Sequence, residues 1–258
     1  MEIVVIYSRK IESELIPVSR RFGVLLELPF KVIQPGDLNV DNLLLEVHSK
    51  DYIERAKDHP FFSAAIENIR CIVSAIEALN QHDIAIVPVT VAGHLAEKGR
   101  MRGGCLFNGL AVAVKLLNSK GKIAVIETDA HHGSAALISH TNAQFFCIGD
   151  KECEISDDLR CVLGRKVGKN YVESLRRMVE KVKAYNPSFI IWYLGTDIDS
   201  REYAEMDIGQ GEWDDIMGAF SDVIHGRKTL ILLASGSRED VLRDIVLKLS
   251  KALVGKIF

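Results

Sequence analysis

Apolar positions along the chain follow two rhythms. Short, nearly continuous apolar runs occur at 3–7, 84–87, 123–128, 144–148, 188–195 and 229–234. Runs of this length, rich in β-branched residues, read as buried strands. Between them lie segments with helical spacing. Phe61, Ala64, Ala65, Ile69, Ile72, Val73, Ile76 and Leu79 mark one face of a helix. Further helices are expected at 109–118, from about Ser134 to His140, at 171–185, after Gly211 and at 238–253. A short helix opens in Val47–Ile53. Residues 8–22 are polar and broken by Pro17, 24–33 reads as extended or partly so, and 149–168 as a charged, irregular connection. Strands alternating with helices predict an α/β protein in three layers, α/β/α, around a mostly parallel sheet covered on both faces. No linker, repeat or low-complexity segment interrupts the pattern, so 1–258 reads as one domain.

The strand at 123–128 runs into Asp129-Ala130-His131-His132-Gly133. In a parallel sheet, ligands bind outside the carboxyl ends of the strands. Asp129 and His131, two apart on extended backbone, point the same way. A carboxylate and an imidazole converging there make half of a divalent metal site, zinc first. The plainer alternative is an Asp capping the next turn beside a solvated His pair. The strand at 188–195 ends in Thr196-Asp197-Ile198-Asp199, on the same rim. Asp129, His131 and Asp197 are therefore candidates to close around one cation and leave a position for water. Glu127 is a carboxylate in an otherwise apolar strand and needs a partner. His94, which follows Gly93 beyond the strand at 84–87, is the natural one.

Composition narrows the classes. A length of 258 residues with 48% hydrophobic and 26% charged residues is that of an ordinary globular protein. A net charge of −3 argues against nucleic acid as the main partner. No apolar run approaches a membrane span and no leader peptide is visible, so no membrane role is expected. Five cysteines, an odd number without a C-x-x-C pair, favour reduced thiols and a cytoplasmic setting. The oligomeric state is not readable.

Four segments in order, Ala92-Gly93-His94, Gly103-Gly104-Cys105-Leu106-Phe107-Asn108, Asp129-Ala130-His131-His132-Gly133 and Leu194-Gly195-Thr196-Asp197, resemble the motifs of the histone deacetylase family. Val47-His48-Ser49 with Tyr52 is similar to a further family segment. That family has the arginase–deacetylase fold and includes acetylpolyamine amidohydrolases and acetoin-utilisation proteins. The resemblance implies that Asp129, His131 and Asp197 ligate zinc, and that water attacks the carbonyl of an acetylated amine or acetyl-lysine with help from a histidine base. His94, paired with Glu127, is that candidate base.

Several positions depart from the family pattern. The family has two adjacent histidines where this chain has His94-Leu95, and Leu95 removes the favoured base. The aspartate that pairs with that second histidine is replaced by Ser134. The glycine run that usually precedes a tyrosine is here Ala234-Ser235-Gly236-Ser237-Arg238, which leaves Ser237 or Arg238 as oxyanion candidates. Gly104 stands where a tunnel aromatic is usual, implying a differently shaped entrance. Arginase-like sites use Asp-x-His-x-Asp and Asp-x-Asp to hold two manganese ions. Gly133 breaks the first set, so one metal with Asp199 as an extra ligand fits better, with His132 behind the ligands. Three functions follow: a zinc-dependent deacetylase-like amidohydrolase, a non-catalytic metal-binding protein of the same fold that binds a ligand or partner, or an arginase-like ureohydrolase, which Gly133 disfavours.

Overall fold

The computed structural model describes residues 1–131, 133, 135–138, 140–147, 168–204 and 206–255. Its seven strands are β1 (Ile3–Ile6), β2 (Lys31–Ile33), β3 (Ile84–Pro88), β4 (Ile123–Thr128), β5 (Ala143–Cys147), β6 (Phe189–Gly195) and β7 (Lys228–Ala234). They form one sheet in the order β2-β1-β3-β7-β6-β4-β5, and every pairing is parallel. β3, β4, β6 and β7 are buried along almost their whole length, as expected of strands covered on both faces.

The helices are α1 (Asp41–Val47), α2 (Lys50–Ala56), α3 (Phe62–Ala78), α4 (Gly109–Leu117), α5 (Gly168–Tyr185), α6 (Gln210–Ile224) and α7 (Glu239–Val254). Parallel crossovers are right-handed. Connections that step one way along the sheet, from β2 to β3 and from β3 to β4, therefore place α1–α4 on one face. Those that step back, from β5 to β6 and from β6 to β7, place α5 and α6 on the other. The contacts agree: α3 packs on α4 and α1 on α4, while α5 packs on α6 and α6 on α7. The connections out of the adjacent strands β4 and β6 thus diverge onto opposite faces. This is a topological switch point, where an α/β sheet leaves a crevice at its carboxyl edge.

Two segments differ from the sequence expectation. Much of 24–33, read as extended, lies in a 3-10 helix, Pro17–Glu27, and only Lys31–Ile33 is strand. The apolar run there is spaced for a three-residue turn: Leu25 and Leu28 are buried, and Leu26 is exposed. Likewise the helix expected from about Ser134 shrinks to one 3-10 turn, Ala135–Ile138. The connection at 149–168 lies almost wholly outside the described residues. Among those residues no helix is long and apolar enough to cross a membrane.

Candidate active site

β4 and β6 are paired with Thr128 opposite Leu194, so the residues that follow emerge side by side. Asp129 and Asp197 are fully buried beneath the rim, and His131 leans over them with its side chain 42% exposed. The ligand atoms of these three residues lie within 4.8 Å of one another. Gly195 allows the approach, because a Cβ there would collide with the carboxylates of both Asp129 and Asp197. A cleft of about 200 Å³ opens above, walled by His94, Leu95, Cys105, His131, Tyr193 and Tyr203 among others.

The cluster has one proton too few. His131 Nδ1 is 3.1 Å from Asp129 Oδ1 and 2.9 Å from Asp197 Oδ2. One ring nitrogen carries one proton, and Asp197 Oδ2 is buried with no hydrogen-bond donor among the described residues. The carboxylates of Asp129 and Asp197 on either side of Nδ1 push the His131 imidazole up to about 10, against the effect of burial. Burial and the neighbouring charge of Asp129 push the Asp197 carboxyl upward. A buried anionic oxygen without a donor is costly. A divalent cation among two carboxylates and an imidazole would neutralise it. The residues present fit the ion.

His94 and Glu127 sit behind this cluster, each almost wholly buried. The imidazole Nδ1 bonds Glu127 Oε1, and Nε2 turns toward Asp129 Oδ1, 3.6 Å away. The carboxylate acceptor fixes the proton on Nδ1. Burial opposes a charged ring here, but Glu127 and Asp129 outweigh it and raise His94 above its ordinary value. The other oxygen of Glu127 accepts the Gly133 N–H at 3.2 Å. A Cβ at Gly133 would stand 2.6 Å from Glu127 Oε1 and 3.1 Å from His94 Nδ1. Tyr193 lies flat on the His94 ring, centroids 4.1 Å apart. The loop bearing His94 is tied to α4 through Asn108, whose Nδ2 donates to the carbonyls of His94 and Ala96 at 2.9 Å while its Oδ1 caps the helix.

The family model of the histone deacetylase domain matches residues 13–147, more than half of the 258. The chain belongs to the histone deacetylase family. Histone deacetylase 4 of Caenorhabditis elegans is 46% identical over 55 residues, 19% of this chain and 6% of that protein. Histone deacetylase 4 of Caenorhabditis briggsae is 31% identical over 133 residues, 41% of this chain and 15% of that protein. The chain thus spans a small part of these curated relatives. Among solved structures, an acetylpolyamine aminohydrolase from Burkholderia pseudomallei superposes with a TM-score of 0.84 at 12% identity, covering 98% of each chain. The HDA15 HD domain gives 0.82 at 16% identity, covering 99% of this chain and 90% of that one. At such identities these likenesses establish the arginase–deacetylase fold.

Within this deacetylase fold, several residues singled out in the sequence stand elsewhere. Asp199 is not in the cluster. Its buried carboxylate accepts Arg201 Nε at 2.9 Å, Arg201 Nη2 at 3.1 Å and Trp213 Nε1 at 2.9 Å. Ser237 and Arg238 are not among the residues that line the cleft. Both Ser237 donors, N and Oγ, reach Glu202 at 2.8 Å, as does the Arg238 N–H, while the Arg238 guanidinium holds Asp240. Gly104 borders open space, and it is Gly103, packed on Leu95, that lines the cleft. His132 and Ser134 lie outside the described residues.

Other residues enter that sequence reasoning missed. Ser235 Oγ donates to Asp129 Oδ2 from a turn with left-handed backbone at Ser235 (φ 49°) and Gly236 (φ 77°). A side chain at Gly236 would meet Thr196 Oγ1. Arg21, from the 3-10 helix at the other end of the chain, donates to the carbonyls of Ser235 and Gly236. Tyr203 stands at the mouth of the cleft, its ring 6.1 Å from that of His131. Burial, then the charges of Asp197 and Asp129, raise its phenol above the ordinary value. Arg21 and Tyr203 belong to no local pattern; the fold alone brings them here.

Proposed function

We propose that this protein is a zinc-dependent amidohydrolase of the deacetylase kind, acting on an acetylated amine. The observation that carries this reading is the buried Asp197 Oδ2 without a donor of its own among the described residues, facing a His131 nitrogen already shared with Asp129. Asp129, His131 and Asp197 would hold the ion. When bound, it supplies Lewis acidity that polarises a carbonyl and acidifies water. The chain supplies the proton traffic. His94 Nε2 takes the proton of the attacking water as its oxygen adds to the amide carbon. The same atom returns the proton to nitrogen as the C–N bond breaks, releasing carboxylate and amine. Glu127 holds the ring in the right tautomer and stabilises the imidazolium formed in between, as Gly133 steadies Glu127. The small acetylated substrate expected from the sequence accords with a cleft of about 200 Å³.

A one-ion site is favoured over the two-ion, arginase-like arrangement, because Gly133 offers no ligand and Asp199 is occupied by Arg201 and Trp213. The reading as a metal-binding protein without catalysis rests on Leu95 in the cleft wall and on the absence of a free donor at Ser237.

Metal content and turnover separate these. The purified chain should hold one divalent ion, and Asp129→Asn and Asp197→Asn should each lose it; stoichiometric metal in both variants would rule the site out. On a panel of acetylated lysines and polyamines, His94→Ala should lower turnover by roughly 10²–10⁴-fold, the range for a lost general base. A metal-replete wild type inert on every amide would favour the non-catalytic reading.

A further inference from the structure

A carbonyl under attack gathers negative charge on oxygen, and an amidohydrolase needs a donor for it. The turn after β7 has little to offer. Ser235 Oγ is given to Asp129, both Ser237 donors and the Arg238 N–H are given to Glu202, and the Arg238 guanidinium is given to Asp240. That turn is clamped, moreover, by Arg21 on two carbonyls and by Thr196 Oγ1, which donates to the Ser235 carbonyl at 2.8 Å. The loop after β6 reaches the same place. Tyr203 lines the cleft with His94 and His131 and is 58% exposed at its mouth. Its ring centroid lies 6.1 Å from that of His131. A phenol has one O–H to give. Tyr193, the other phenol of the cleft, is 2% exposed and lies flat against His94.

We propose that Tyr203 donates its phenolic hydrogen bond to the substrate's carbonyl oxygen as charge develops there, a role that Ser235, which lines the cleft from the turn after β7, is not free to fill. The assignment rests on the amidohydrolase reading above.

The test uses the full chain loaded with zinc, comparing wild type with Tyr203→Phe and Tyr193→Phe. Metal content and the thermal midpoint show whether each variant is intact; at Tyr203 only one oxygen of an exposed ring is removed. Two readouts are needed: kcat and KM on an N-acetyl amine, and the Kd of acetohydroxamate, a small chelator with a carbonyl of its own. Tyr203→Phe should lower kcat about 10²-fold with KM changed little, the loss typical of one oxyanion donor. It should also weaken acetohydroxamate by roughly fivefold, the scale of one hydrogen bond. Unchanged kcat with active wild type overturns the donor role and leaves the amidohydrolase reading standing. So does a raised KM at unchanged kcat, which would make Tyr203 a binding wall, or a fall confined to Tyr193→Phe. Wild type inert on amides, with acetohydroxamate still weakened by Tyr203→Phe, sinks the hydrolase and keeps Tyr203 as a carbonyl donor. Wild type inert and the chelator indifferent overturns both.

Discussion

Two aspartates two residues apart, Asp197 and Asp199, have opposite surroundings. Asp197 keeps an oxygen with no donor among the described residues, whereas Asp199 is saturated by a guanidinium and an indole. The first is poised for a cation and the second holds the loop. Asp199→Asn should therefore leave the metal content of the protein unchanged, where Asp197→Asn abolishes it. Its effect should appear instead in stability, a loss of about 2 kcal/mol, because the charged hydrogen bonds from Arg201 and Trp213 to the buried carboxylate are weakened while Asp244 keeps the Arg201 charge paired. Urea unfolding beside metal analysis checks both halves; a metal-free Asp199→Asn protein would put Asp199 back among the ligands. The sequence held the motif Asp197-Ile198-Asp199 in plain view but could not tell the two carboxylates apart. The answer lies in Arg201 and Trp213, whose side chains reach Asp199 only in the folded chain. The same holds for Ser237, whose hydroxyl was open on paper and is bound to Glu202 in space. By contrast, Asp129, His131, Asp197 and the His94–Glu127 pair come together as their spacing suggested, because strand ends in a parallel sheet share one rim and a buried carboxylate must find a partner.

At the scale of the elements, the junction of α1, α2 and α4 carries a device independent of the cleft. His48, which ends α1, donates from Nδ1 to the Glu97 carbonyl at 2.9 Å and accepts the Asn108 N–H on Nε2 at 3.0 Å. Both ring nitrogens are used, and a proton added to Nε2 would face another donor. Burial pushes this imidazole down from 6.5 to about 4. The sign follows directly. Between those values the unfolded chain binds a proton that the folded chain refuses, so stability is fully present above 6.5 and falls as the pH drops toward about 4. The loss should reach about 3 kcal/mol. Urea midpoints measured across this range should fall more steeply for wild type than for His48→Gln; parallel curves would show that His48 does not set the slope. Element positions were largely legible, since long apolar periodicities announce buried strands and helices. The failures came in short segments. Residues 24–33 carry apolar residues at spacings that suit a strand or a 3-10 turn, and packing against α7 decides between them.

Taken whole, the molecule is a sheet whose most buried strands converge on its cleft, while its edges are short. β2 has three residues and pairs on one side only. The loops between β3 and α4, after β4 and after β6 thus stand on a stiff support, and Arg21 joins the chain's opening segment to the turn after β7. The sequence resemblance reached this scale without difficulty, because the order of the motifs along the chain is the order of the strand ends that carry them.

The switch point between β4 and β6 has a mechanical meaning. The two carboxylates there leave neighbouring strands and continue into connections on opposite faces of the sheet. An ion gripped by both would act as a rivet across that seam, joining the two layers of helices through a single point. Its effect should be visible far from chemistry, in the rate at which backbone amides trade hydrogen for deuterium. Zinc should slow exchange along β4 and β6 and at the start of α6, whereas β2 at the margin should exchange as before, since a ligand protects only the openings that release it. Uniform slowing over the whole sheet would mean that these strands open only with everything else, and that the rivet holds no seam of its own.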